Sequence, residues 1–181
     1  MKNASAPEIA PAATAATEDY GAYGADYRFT RVEETTDAEL RRLLACWNEI
    51  RGPRAMPTRS ALNPFILRSS LRFVQLFEII DGGRDFLFKV MGSGIVEQTG
   101  LHMTGKCISE LESVAVRTRV SAALRRVVET RGPVRMTADH SALGHLAHKQ
   151  AEAIWLPLGD EARVTHILSG VIFSNRVAAP A

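Results

Sequence analysis

The chain has 181 residues, 46% of them hydrophobic, which suits one globular domain with a buried core. Its 22 basic and 20 acidic residues leave a formal net charge of +2, which excludes a strongly basic nucleic-acid scaffold and an acidic solvating chain alike. Two cysteines, Cys46 and Cys107, stand in separate segments without a CxxC pairing, against a disulfide framework or a zinc knuckle.

Residues 1–28 are Ala/Pro/Thr-rich and then Gly/Tyr-rich, with too little aliphatic content to offset the entropy of ordering, and are expected to form a disordered tail. They lack the unbroken apolar stretch of a signal peptide, and no run reaches the ~18 apolar residues of a membrane span, so the expected location is the cytoplasm, with no membrane partner. Residues 29–64 read as an N-terminal helix and a connector. Thr36 and Glu39 have capping-box spacing, and Leu40, Leu43, Leu44 and Trp47 follow at i, i+3, i+4 and i+7, the stripe of an amphipathic helix. Gly52-Pro53 ends it, and the three prolines between 53 and 64 predict an extended path.

Residues 65–176 carry the main domain, with a short tail at 177–181. FVQLFEII (73–80) and FLFKVM (86–91) flank Asp81-Gly82-Gly83, a β-hairpin signal. The next stretch, VMGSGIVEQTGLHMTGK (90–106), resembles a phosphate cradle only superficially: Glu97 occupies the third glycine position of a dinucleotide fingerprint, and Gly105-Lys106 is followed by Cys107 instead of Ser or Thr. Residues 95–99 predict a short helix closed by Gly100. A longer helix is expected from near Ser109, capped by Glu112, with Val116, Val120, Leu124 and Val127 on one face and Gly132-Pro133 as its stop. Strand-like runs at 134–138, 147–158 and 164–174 complete the chain. Strands grouped on both sides of the helices favour an antiparallel α+β sheet.

The order of these elements, together with PTRSALNP (57–64), the Phe-x-Phe-x-Val-x-Gly strand (86–92), LHMTGKCISEL (101–111), VVETRGPV (127–134), AEAIWLPLGD (151–160) and VTHILSGVIF (164–173), resembles the PAS domain of short stand-alone bacterial proteins of the alphaproteobacterial type. The resemblance spans about residues 38–174. It implies a PAS-like five-stranded antiparallel sheet with helices over one face, preceded by the N-terminal amphipathic helix, and a small cavity between the layers. On that reading Phe88, Val90, Glu97, His102, Leu124 and Trp155 line the ligand site. The function implied is a sensor or adaptor in bacterial signal transduction, binding a small ligand, a partner such as a histidine kinase, or both. His102 stands where the family usually has an acidic residue, and Ala61-Leu62-Asn63-Pro64 where it has Asp-Ile-Asp-Pro. The Asn-Cys-Arg-Phe-Leu-Gln run of flavin-binding relatives is absent, so neither flavin nor haem is expected, and the ligand is unnamed.

Other chemistry is weaker. His140, His145 and His148 fall within nine residues, but on a loop and a strand with only Asp139 near to complete a metal sphere, so no metal site is assigned. Gly-x-Ser-x-Gly is absent. The chain is expected not to be an enzyme; the alternative is a small α+β enzyme or ligand carrier with Glu97, His102 and Cys107 nearest the chemistry. Arg117, Arg119, Arg125, Arg126 and Arg131 form either a solvated helix face or a contact for an acidic partner. Finally, the stripe of Leu40, Leu43, Leu44 and Trp47 must pack somewhere, and the expected place is the same helix of a second subunit in a homodimer.

Overall fold

The computed structural model describes residues 27–175. The expected tails over 1–26 and 177–181 lie outside the described residues. Tyr27 and Arg28, assigned to the tail, instead open a strand, β1 (Tyr27–Thr30), whose Phe29 is buried. The other elements are α1 (Ala38–Arg51), the single turn α2 (Pro64–Leu67), β2 (Val74–Ile80), β3 (Asp85–Met91), α3 (Ser93–Thr99), α4 (Val114–Thr130), β4 (Val134–Ala138), β5 (Lys149–Gly159) and β6 (Val164–Asn175).

The strands form one six-stranded antiparallel sheet in the order β1-β4-β5-β6-β2-β3. Five strands are the expected ones; β1 adds an edge beside β4. The β2–β3 turn reverses through Gly82 at φ 66° and Gly83 at φ 91°, conformations that glycine adopts without strain. The free edge of β3 is partly closed by the chain itself, since Phe88 exchanges backbone hydrogen bonds with Lys106 (3.0 Å) and Gly105 (2.8 Å). That contact blunts an exposed strand edge.

Helices cover both faces. Successive strand residues point to opposite sides, so β6 and β5 present Val171, Ala153 and Trp155 toward α3 and α4, and Gly170 and Ile154 toward α1. The expected dimer stripe is therefore corrected: α1 packs on the sheet of its own chain. Leu40 and Leu43 are 1% and 2% exposed, and a Cβ on Gly170 would lie 2.8 and 2.7 Å from their Cδ2 atoms. Trp47 is buried with its indole N–H donating to Pro157 O at 2.9 Å, and Leu44 packs at the margin of the same core. The physical reason is the missing side chain at Gly170, which lets the two leucines settle onto the strand.

The caps differ from their sequence signals. Asp37, not Thr36, caps α1, its carboxylate accepting from the backbone N–H of Glu39 (2.8 Å) and Leu40 (3.1 Å). Thr36 instead donates to Glu152 on β5 through both its N–H and its hydroxyl. α4 starts at Val114 with Ser113 as cap, because Ser109 is held by Asp85 at 2.6 Å in a preceding helical turn. The connector is not merely extended: Met56 and Leu62 are core residues, and Pro57 O accepts from Gly159 N.

Candidate functional site

Between the sheet and its α3/α4 layer lies a cavity of about 90 Å³. Its floor comes from every strand but β1: Gln75, Met91, Met136, Ala153, Trp155 and Val171. Its roof comes from Ile95 and Thr99 of α3, Val116, Arg119 and Val120 of α4, and the β4–β5 loop at Ser141 to Leu143. The wall is almost wholly apolar. Two small residues, Ala151 and Ala153, make the space: at alternate positions before Trp155 they face the helices without filling the gap.

The polar groups of the roof are already engaged. Thr99 Oγ1 donates to Ile95 O at 2.7 Å, Ser141 Oγ accepts from Leu143 N at 3.2 Å, and Arg119 donates to His140 O at 2.8 Å while its guanidinium lies 5.0 Å over the Tyr27 ring. Two further polar atoms, Trp155 Nε1 and Ser169 Oγ, are buried without a hydrogen-bond partner among the described residues; the two residues pair directly across β5 and β6, and Ser169 does not line the cavity.

Of the six residues expected to line the site, only Trp155 does. Phe88 is in the core, its ring 4.7 Å from that of Phe77, and Leu124 is fully buried on the inner face of α4. Val90 and His102 are largely exposed. Glu97 turns outward to an ion pair with Arg72 at 3.0 Å. Helix and strand periodicity identifies which residues are apolar-facing, but core and cavity wall share that pattern. The small residues Ala151 and Ala153, four and two positions before Trp155, were the usable signal for a gap. The loop contribution had none, because its path is set by long-range bonds: Arg119 to His140 O, and His145 Nε2 to Gln98 O at 3.1 Å.

The arginines of α4 bond largely within the chain. Besides Arg119, Arg117 donates to Leu111 O and Arg131 to Glu161 O. On the α1 side of the sheet lies a second, polar hollow of about 290 Å³, with Arg135 and Glu152 at its base. Arg135 Nε donates to Glu152 at 2.9 Å and its Nη1 to Thr30 Oγ1 at 2.9 Å. Burial pushes the Glu152 carboxyl up, but the hydrogen bonds from Thr36 and Arg135 and the Arg135 charge outweigh it and hold the group below its ordinary value of 4.5. Glu152 and Trp155, three residues apart, thus face opposite sides, as their odd separation predicts. A third hollow, of about 500 Å³, lies beside Arg131 and His166, where burial first and then the Arg59 and Lys89 charges depress the His166 pKa against the opposing pull of Glu78. Among the described residues, no helix is long and apolar enough to cross a membrane.

Two comparisons bear on this geometry. A family model described as a PAS domain matches residues 35–173, from the turn before α1 to near the end of β6. No curated protein matches the chain.

Proposed function

This chain belongs to the PAS domain family, a family of signalling sensor and interaction modules, and from that premise we propose that it is a cytoplasmic sensor or adaptor of bacterial signal transduction whose cavity receives a small ligand. The observation that carries the reading is the cavity, whose roof is built from three separate pieces: α3, α4 and the β4–β5 loop. An occupant touches all three at once and shifts their populations by its differential affinity for their arrangements. Output then passes through contacts with a signalling partner such as a histidine kinase, a partner class that rests on family likeness.

A non-catalytic role is part of this proposal. It is supported by the placement of the groups nearest to any chemistry: Glu97 pairs with Arg72, His102 is exposed, Cys107 bridges to Leu87, and none of the three lines the cavity. The test is to imitate occupancy. Ala153→Leu adds three carbons to a fully buried floor position, and amide hydrogen exchange is then measured over α3, α4 and residues 139–148. Altered protection in those three segments is the expected result. Identical exchange in the folded variant overturns the coupling.

A further inference from the structure

β2 begins with four buried residues, Val74 to Phe77, and only one of them is polar. Gln75 is 8% exposed and belongs to the cavity floor, in a cross-strand row with Ser169 and Trp155 on one side and Met91 on the other. A side chain on a strand stands away from the sheet, so the carboxamide is the end nearest the helix layer. Among the described residues nothing hydrogen-bonds to that carboxamide, and neither of its polar atoms is sealed in protein as Trp155 Nε1 and Ser169 Oγ are. The other polar side chains of the wall have partners. Thr99 Oγ1 donates to Ile95 O and accepts from Leu101 N, Ser141 Oγ accepts from Leu143 N, and Arg119 donates to His140 O. Buried polar groups are nearly always paired, so an unpaired amide on the wall of an apolar gap marks where an occupant is recognised.

We propose that the cavity takes a small neutral ligand with an amide edge, a primary amide, lactam or urea, which pairs with the Gln75 carboxamide through a donor and an acceptor at once. The inference rests on the ligand-receiving role proposed above. Gln75 offers an acceptor, Oε1, beside a donor, Nε2–H, and an amide edge offers the same groups in the complementary order. A ketone or ether engages only the donor, and an alkane engages neither. The apolar wall strengthens such a pair relative to water, where solvent competes for both groups. Neutrality follows from the same wall. It has no carboxylate, and its sole charged side chain, Arg119, is engaged by His140 O and the Tyr27 ring, so an ionic ligand would lose hydration without gaining a counter-charge. Size follows from volume: a cavity of ~150 Å³ holds benzene, so about 90 Å³ suits about four non-hydrogen atoms.

Acetamide and acetone test this, since they share a shape and differ in NH₂ against CH₃. Each is titrated into the full-length protein labelled with nitrogen-15 and carbon-13. The Gln75 NH₂ signals, assigned with Gln75→Met, are followed beside the methyl signals of Ile95 and Val171. The expected result with acetamide is a saturable shift of those methyls together with a downfield shift of one Gln75 NH₂ proton. In Gln75→Met, which keeps the side chain's length without its polar groups, the ratio of acetamide to acetone affinity falls about fivefold, the scale of the one net hydrogen bond that only acetamide makes. Comparing the ratio between proteins cancels the different hydration of the probes. Gln75→Leu repeats the comparison if Gln75→Met does not fold. If acetone alone binds, if the ratio is the same in the variant, or if the Gln75 NH₂ signals stay in place while the methyls move, the amide assignment is wrong and the ligand-receiving role stands. If neither probe gives a saturable shift, both fail.

Discussion

Replacing Leu43 with alanine examines whether α1 belongs to its own domain. Leu43 is 2% exposed and its Cδ2 lies over Gly170, within 2.7 Å of the point where a Cβ would stand. Removing three carbons there leaves a gap that the β6 backbone cannot close, and buried Leu→Ala changes cost about 2–5 kcal/mol. For a domain of this size a loss of about 3 kcal/mol lowers the melting temperature by roughly 6–12 °C. Urea denaturation followed by circular dichroism, at protein concentrations a hundredfold apart, supplies the assay. Both wild type and variant should show midpoints independent of concentration, because the buried partner is in the same chain. A cycle sharpens it: Gly170→Ala alone overpacks the site against Leu40 and Leu43 and costs about 1–3 kcal/mol, whereas in the Leu43→Ala background only the Leu40 contact remains and the methyl costs less, giving a coupling of about 0.5–3 kcal/mol. A loss below about 1 kcal/mol, or a wild-type midpoint that rises with concentration, would refute the packing described for α1.

Glu152 predicts an acid limb. Its carboxyl is held below the ordinary 4.5 in the fold, so its contribution to stability is complete above that pH and disappears as pH falls through the lower folded value; Glu152→Gln should flatten the stability curve below about pH 4.5. At neutral pH the same variant should lose stability, since Arg135 keeps its charge in a site only 10% exposed and forfeits its closest anion; unchanged urea midpoints would contradict this. Both thiols are held above their ordinary 9.0, Cys46 by burial and then Glu49, Cys107 by burial and then Asp85, Glu110 and Asp81, so both should react with Ellman's reagent at pH 7.5 more slowly than N-acetylcysteine. Faster labelling at either site would show an activated cysteine. His145→Ala should speed hydrogen exchange across residues 139–148 while leaving global stability within about 0.5 kcal/mol, because it removes one exposed loop bond to Gln98 O.

β2 to β6 and the body of α4 were legible because their signals are local, although α4 starts at Val114 and not near Ser109. β2 and β3 differ from the sequence expectation by one residue at most, and the Asp81-Gly82-Gly83 reversal is where glycine chemistry places it. Thr36 misled because a capping box and a long-range partner draw on the same hydroxyl; Glu152, 116 residues away, takes it, and Asp37 is left to cap the helix. β1 was hidden because YRFT becomes a strand only through pairing with β4, whose Met136 lies opposite Phe29. The candidate site was least legible. Phe88 and Trp155 both read as buried aromatics, and what separates them is whether packed side chains or a gap stands opposite, a fact of assembly at which only the two alanines before Trp155 hint.

Gly170 has a mechanical meaning as well. It sits between Ser169 and Val171, so at that point of β6 the partition separating the cavity from Leu40 and Leu43 is bare backbone. Elsewhere along the sheet, side chains stand on both surfaces and can change rotamer to absorb a displacement. Here there is nothing of that kind on the outer side. The strand is thin there in the manner of a diaphragm: on the proposed ligand-receiving role, a load on Val171 passes through backbone alone to the seat of α1, in a densely packed interior that transmits strain instead of dissipating it.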